Sequence, residues 1–301
     1  MADDADDKAL AVFEEHRGTL FGVAYRMLGR VSDAEDLVQE AWLRWAGAPR
    51  DDVAEPRAYL VRVVTRLSID RLRQLNARRE TYVGPWLPEP LPTDRAAAGP
   101  QSAPDGAERA VLAETVSYAV LLVMESLSPL ERAVFVLREA FGLPYAEIAA
   151  ALGRSQPAVR QLSGRARRHM TERRPRFVVD TGQQRDLTER FLAAATQGDL
   201  DGLLAILAPE VSLVGDSGGK AKAPVRVIKG ADKVGRFSAG IGRQAPPAAG
   251  FHFLDVNGGV ALLVTSEGRP HSLLLLDIAD GRIQRVYLVA NPDKIGHLPP
   301  G

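Results

Sequence analysis

Six prolines fall between positions 85 and 104 of this 301-residue chain: Pro85, Pro88, Pro90, Pro92, Pro100 and Pro104. Gly84, Gly99 and Gly106 are interspersed with them. Neither a helix nor a central strand runs through such a stretch, because proline lacks the N–H that both ladders need and its ring clashes with the preceding turn. The segment 81–108 therefore reads as a linker, and the chain must fold as separate blocks on either side of it. The length suits two or three domains.

The blocks flanking the linker carry a helical period. In the first, residues 8–80, Phe13, Leu20, Ala24, Met27 and Leu28 share one helical face. Ser32-Asp33-Ala34-Glu35 reads as a capping box that opens a second helix, with Leu37, Val38, Ala41, Trp42 and Trp45 as its buried stripe. Pro49 ends that helix, and Pro56 stands at the first position of a third that runs to about Glu80. The second block, 109–175, is again helical. From about Phe177 the pattern changes. Two helices, 185–197 and 200–207, precede strand-like runs at 211–214, 225–228, 251–256, 260–265, 272–278 and 283–289. Asn257-Gly258-Gly259 and Asp280-Gly281 are hairpin turns. This third block, 177–301, is expected to be an α+β domain with a mostly antiparallel sheet.

Net charge is zero, but it is unevenly spread: Arg154, Arg160, Arg165, Arg167, Arg168, Arg173, Arg174 and Arg176 face a single Glu172 in their stretch. The absence of cysteine excludes disulfides, thiol catalysis and thiolate metal sites. No histidine spacing suggests a metal, and no cofactor motif is present. The acidic amino terminus has no charged-then-apolar leader, and no apolar run approaches the ~20 residues of a membrane span. The expected address is the cytoplasm, away from membranes.

The basic cluster belongs to YAEIAAALGRSQPAVRQLSGRARRH, residues 145–169. A short helix with Ile148, Ala149 and Leu152 inward ends at Gly153, and Ser155 caps the next helix, where Pro157 sits harmlessly in the first turn. Val159 and Leu162 bury, while Gln156, Arg160, Gln161 and Arg165 point out. Long donors near a helix amino end read base edges in the major groove, and cations hold phosphates. The plainer alternative is a helical hairpin with a solvated basic face.

The stretch DAEDLVQEAWLRW, residues 33–45, bears on that choice. With its buried stripe subtracted, Asp36, Gln39 and Glu40 share an exposed polar face suited to a basic partner. It closely resembles the polymerase-binding helix of sigma factors. The following helix, PRAYLVRVVTRLSIDRLRQLNARRE, aligns Arg62, Arg66, Ile69 and Arg73 on one face and Leu60, Val63, Val64 and Leu67 on the other. It resembles the helix that sigma factors set against the minus-ten promoter element, with Arg66 where relatives commonly carry asparagine. The loop 47–55 lies where such proteins capture an unpaired base. The resemblance is to the extracytoplasmic-function group of the sigma-70 family. It implies that Asp36, Gln39 and Glu40 dock on core RNA polymerase, that Arg62, Arg66 and Arg73 face the minus-ten element, and that Ser155, Gln156, Arg160, Gln161 and Arg165 meet the minus-thirty-five element of promoter DNA.

The third block resembles SnoaL-like domains, a cone-shaped sheet under helices. GPWLPEP (84–90), GDSGGK (215–220) and NPDK (291–294) together resemble the sigma subgroup in which such a domain is fused, with Ser217 where a glycine is usual. The expected fold is thus two all-α sigma domains, the second with a helix-turn-helix, and a SnoaL-like α+β domain. Asp216, Lys220, His252 and His271 are candidates to line its cone, and a small-molecule ligand there is one possibility. Trp86 and Leu87 forfeit roughly 1.5–3 kcal/mol each if left in water, so the linker should dock. The expected regulatory contacts are Trp86, Leu87, Asp216, Lys220, Asn291, Asp293 and Lys294, through which the third domain would set the geometry of the DNA-binding domains in place of a separate anti-sigma protein. The alternative function class is a SnoaL-like enzyme or ligand sensor carrying a DNA-binding module; catalysis is not expected.

Overall fold

The computed structural model describes residues 2–48, 53–79, 82–93, 117–173, 181–244 and 246–299. Pro49 and the rest of 49–52 in the 47–55 loop, Pro100, Pro104 and the boundary at Phe177 lie outside the described residues. The described residues form two compact units, one within 1–78 and 94–174, the other within 79–93 and 175–301.

The first unit is all helix. It contains α1 (Ala2–Leu28), α2 (Val31–Ala46), α3 (Pro56–Arg79), α4 (Tyr118–Met124), α5 (Pro129–Phe135), α6 (Tyr145–Leu152) and α7 (Gln156–Arg173), with a π turn at Val136–Ala140 after α5. Phe13, Leu20, Ala24, Met27 and Leu28 of α1 are all buried, as their spacing requires. They meet Leu37, Val38, Ala41 and Trp45 of α2. Trp45 closes this core by donating Nε1–H to the carbonyl of Ala9 at 2.9 Å.

The expected capping box at Ser32 is not there. α2 starts at Val31 with Arg30 as its N-cap residue and no side-chain cap. Asp33 is instead drawn inward: its carboxylate accepts from Arg71 of α3 at 2.9 and 2.5 Å and lies 3.2 Å from Arg30. A buried carboxylate gains more from the two charged N–H donors of a guanidinium, both on Oδ1 here, than from two helix-end amides. The true capping box is Ser128-x-x-Glu131, with Pro129 at the first helical position of α5.

The second unit contains α8 (Thr181–Gln197), α9 (Leu200–Ile206), β1 (Leu207–Asp216), β2 (Ile228–Lys229), α10 (Ala231–Gly242), β3 (Gly250–Val256), β4 (Gly259–Ser266), β5 (Arg269–Ala279), β6 (Arg282–Val289) and α11 (Pro292–Ile295). The sheet order is β2-β1-β6-β5-β4-β3, antiparallel except for the β1–β6 pair. Both expected hairpins form. Asn257 and Gly258 have φ of 51° and 73°, and Asp280 and Gly281 have 52° and 69°. Two successive left-handed residues match the strand twist. Glu267 and Gly268 make a third such turn, at 51° and 75°. The strand expected at 225–228 shrinks to the β2 pair, and α10 was not anticipated.

Register assigns the two faces. Leu213 pairs with Val286, and Leu276 with Val286, so these share a face. That face packs on the helices: Leu213, Leu276 and Val286 form one core with Leu187, Phe191, Leu203 and Val234. The alternate residues point the other way. Asp216 pairs with Val289, Val289 with Leu273, and Leu273 with Leu263. This second face would face water in a bare domain, yet Leu263, Leu273 and Val289 are fully buried. α11 packs against β5, and Leu87 and Leu91 of the linker segment are also buried. Leu91 and Asn257 exchange hydrogen bonds, Leu91 N–H to Oδ1 at 3.0 Å and Asn257 N–H to the Leu91 carbonyl at 2.9 Å. Residues 82–93 are therefore a packed part of this unit, more than the free tether that their prolines suggested.

Candidate functional site

A buried ionic cluster joins three stretches of the second unit. Asp216, at the end of β1, is fully buried, and the Lys294 side chain is 3% exposed. The Asp216 Oδ2 accepts from Lys294 Nζ at 2.7 Å and from the backbone N–H of Leu87 at 2.8 Å. Its Oδ1 accepts from the hydroxyl of Tyr82 at 2.5 Å. Lys294 Nζ also donates to the Leu87 carbonyl at 2.5 Å and lies 4.2 Å from the centre of the Trp86 ring and 5.2 Å from that of Tyr82. A buried charge is tolerated only when its donors and acceptors are met, and here oxygen acceptors and aromatic faces surround the ammonium.

Asn291 completes the cluster, donating from Nδ2 to the Tyr82 hydroxyl at 3.0 Å while its Oδ1 caps α11 at Asp293 N–H. Lys220 and Asp293 form an exposed ion pair at its edge. The turn between Asp216 and Lys220 explains the serine. Gly218 and Gly219 have φ of 56° and 75°, and a Cβ at Gly218 would lie 2.5 Å from Asn291 Nδ2. Ser217 is not among the left-handed residues, and its hydroxyl accepts from the N–H of Gly219 at 3.3 Å. A side chain is therefore tolerated at 217 and excluded at 218.

In the first unit, Asp36 and Gln39 are exposed on α2, and Glu40 is half-exposed and paired with Arg44 at 2.7 Å. Leu43 continues this stripe at helical spacing and is 64% exposed. The sequence reading missed it. The signal was present, because Leu43 falls off the buried period that Leu37, Val38, Ala41 and Trp45 set. On α3, Arg73 is exposed and pairs with Asp70 at 3.0 Å, and Arg62 is half-buried over the Tyr59 ring. Arg66 reaches across to donate Nε–H to the carbonyl of Ala151 on α6, at 2.9 Å. Ile69, expected on this outer face, is buried at 5%. A long helix packed by several neighbours buries more than one stripe.

The helix-turn-helix forms as expected. Gly153 takes the left-handed conformation, φ 62°, that ends α6, and Ser155 Oγ accepts from Ala158 N–H at 3.4 Å to open α7. Val159, Ser163, Ala166 and Met170 face inward, and Leu162 is half-buried. Gln156, Arg160, Gln161 and Arg165 are exposed. Arg160 stands over the Tyr145 ring at 5.8 Å. Arg165 lies 3.5 Å from Glu131. Burial pushes the Glu131 carboxyl up, but its hydrogen bonds from Ser128 and the charge of Arg165 outweigh that and hold it below the usual range.

The candidates for a catalytic cone do not converge. Asp216 lies on the face opposite the helices, engaged by the linker. His252 pairs with Leu263 on that same face and sits 3.3 Å from Thr265 Oγ1. Lys220 is exposed. Only His271 borders the pocket between sheet and helices, at a register shift between β4 and β5 that re-aims its side chain. No helix among the described residues is long and apolar enough to cross a membrane.

Residues 12–79 match the Sigma-70 region 2 family, and residues 117–170 match the Sigma-70, region 4 family. The chain belongs to the extracytoplasmic-function (ECF) sigma factors: it is an alternative sigma factor, which binds core RNA polymerase and directs promoter-specific initiation of transcription. Among its relatives, the ECF RNA polymerase sigma factor SigJ of Mycobacterium tuberculosis is 40% identical, over 95% of this chain and 93% of its own. The probable ECF RNA polymerase sigma factor SigI of the same species is 35% identical over 97% and 96%. The crystal structure of SigJ superposes with a TM-score of 0.70 at 36% identity, covering 95% of this chain and 98% of that one.

Proposed function

We propose that this sigma factor is regulated in cis, its third domain gripping the segment that joins regions 2 and 4. The observation that carries this reading is the Asp216 carboxylate, which accepts from Tyr82 and Leu87 of the linker and from Lys294 of the tail. A linker held at residues 82–93 leaves the two DNA-binding regions less freedom than a free tether would. The domain acts by contact rather than by turnover, in keeping with the separation of Asp216 from His271. The test uses the full chain. Trp86→Ala and Asp216→Ala are expected to make residues 82–93 sensitive to protease and to change promoter-specific transcription while core binding persists. Undiminished protease protection with unaltered transcription overturns the proposal.

Region 2 docks on core through the stripe Asp36, Gln39, Glu40 and Leu43, in which an exposed leucine sits among polar groups that complement a basic partner. Gln39→Ala with Glu40→Ala is expected to weaken core association and leave helicity intact, since both side chains lie off the buried stripe. Native gel titration against core polymerase measures it. Region 4 reads the minus-thirty-five element with α7. Arg160→Ala is expected to cost about 1–3 kcal/mol at one promoter position if its guanidinium meets a guanine edge. Arg167, paired with Glu139 at 2.8 Å in the free protein, is a phosphate contact. Its alanine variant should weaken all promoter sequences alike and flatten the salt dependence of binding, as read by fluorescence anisotropy across a salt series. Arg62, Arg66 and Arg73 face the minus-ten element, and Arg66 must leave the Ala151 carbonyl to do so.

A further inference from the structure

The third domain holds a pocket that the regulatory contacts do not use. It lies on the helical face of the sheet, away from Asp216, with a volume of about 150 Å³. Its walls are Phe191, Leu213, Phe237, Leu262, Leu274 and Val286. A cavity of this size lined by such groups gains little from water and accepts a single small ring or a short branched chain. Ile241 and Phe251 border it and are 45% and 39% exposed, which gives an apolar ligand a compatible entrance.

Charge adds a second and independent constraint. Among the described residues, the ionisable side chains that line the pocket are Lys222 and His271, both exposed at its mouth, with no aspartate or glutamate. Neither has an ion-pair partner among the described residues, unlike Lys220 and Lys294 nearby. Ser238, on the α10 wall, is 7% exposed, and its hydroxyl has no hydrogen-bond partner among the described residues. An apolar interior, a cationic mouth and a spare buried hydroxyl together describe the complement of one kind of molecule. We infer that this pocket binds a small carboxylate with an apolar body, such as an aromatic or branched-chain acid, its body against Leu262 and Leu274 and its carboxylate at Lys222 and His271. The ligand would make the domain a receptor as well as a clamp.

The experiment titrates the full-length protein with benzoate and with benzylamine, which has a similar shape and the opposite charge, by calorimetry and thermal melting. Benzoate is expected to bind saturably and to raise the melting temperature, with benzylamine at least about tenfold weaker. Lys222→Glu, a change at an exposed position, should weaken benzoate by about the same factor, and Lys222→Arg should restore it. Leu274→Trp, which fills the pocket, should abolish binding; circular dichroism checks that each variant is folded. Absence of saturable benzoate binding overturns the inference. So does equal binding of the two probes, or benzoate binding that survives both Lys222→Glu and Leu274→Trp, which would mark an adventitious additive only.

Discussion

Lys294→Met will release the linker segment from the third domain. The substitution keeps most of the apolar stem but leaves the Asp216 carboxylate, fully buried, with Tyr82 and Leu87 as its remaining linker donors. Removing one partner of a buried ion pair costs about 3–5 kcal/mol, because the other charge stays desolvated and uncompensated. Loss of the ammonium also removes the donor to the Leu87 carbonyl and the cation held against Trp86. Hydrogen exchange at the Leu87 and Leu91 amides measures the effect locally, and a loss of that size corresponds to exchange faster by at least about a hundredfold. The double variant Asp216→Asn with Lys294→Met should fall well short of the summed single losses, since neither change then strands a charge. Unchanged protection at Leu87 in Lys294→Met would show that the linker is held without the Lys294 ammonium.

Arg132→Met should produce the second large loss, in the helical unit. Arg132 is 1% exposed, on α5. Its Nε donates to the carbonyl of Arg26 on α1 at 3.0 Å, and its Nη1 donates to Glu125 at 2.7 Å. One guanidinium thus ties the region 4 helices to the first helix of region 2. Arg26, beside it, is itself buried, and burial lowers its guanidinium to about 10. It donates to the Gly22 carbonyl at 3.0 Å and lies 5.2 Å from the Phe141 ring centre. Methionine at 132 fills the volume but removes the guanidinium that donates to Glu125 and to the Arg26 carbonyl, a change worth about 3 kcal/mol for a nearly buried pair. The melting temperature of the helical unit should drop by several degrees. Arg132→Lys should not rescue it, because a single ammonium cannot reproduce two bonds in a planar fork. Recovery of full stability by lysine would show that charge alone matters at this position.

The helical parts of the chain were legible because their signals are local. The buried face of α1, the proline at the start of α3, the glycine and serine around the helix-turn-helix and the Asn-Gly and Asp-Gly hairpins each rest on a few neighbouring residues. The same holds for Trp86 and Leu87, whose size demanded cover whatever supplied it. What resisted reading was settled between distant residues. Ser32 looked like a cap, but Asp33 went to Arg71 instead. Ile69 shared a predicted outer face with three arginines and is buried, because α3 has neighbours on more than one side.

The sheet carries the sharpest case. Alternation along β1 separates Leu213 from Asp216 by parity, but local pattern does not say which face receives the helices and which the linker. The sequence by itself determined the blocks, the helix-turn-helix, the exposed stripe of α2 and the need to bury the linker's large side chains. Only the tertiary structure decided that Asp216 turns away from the pocket and toward Lys294, and that Arg66 spends its donor on Ala151. Those choices depend on strand register and on packing between residues far apart in the chain, and neither is encoded in any one stretch of it.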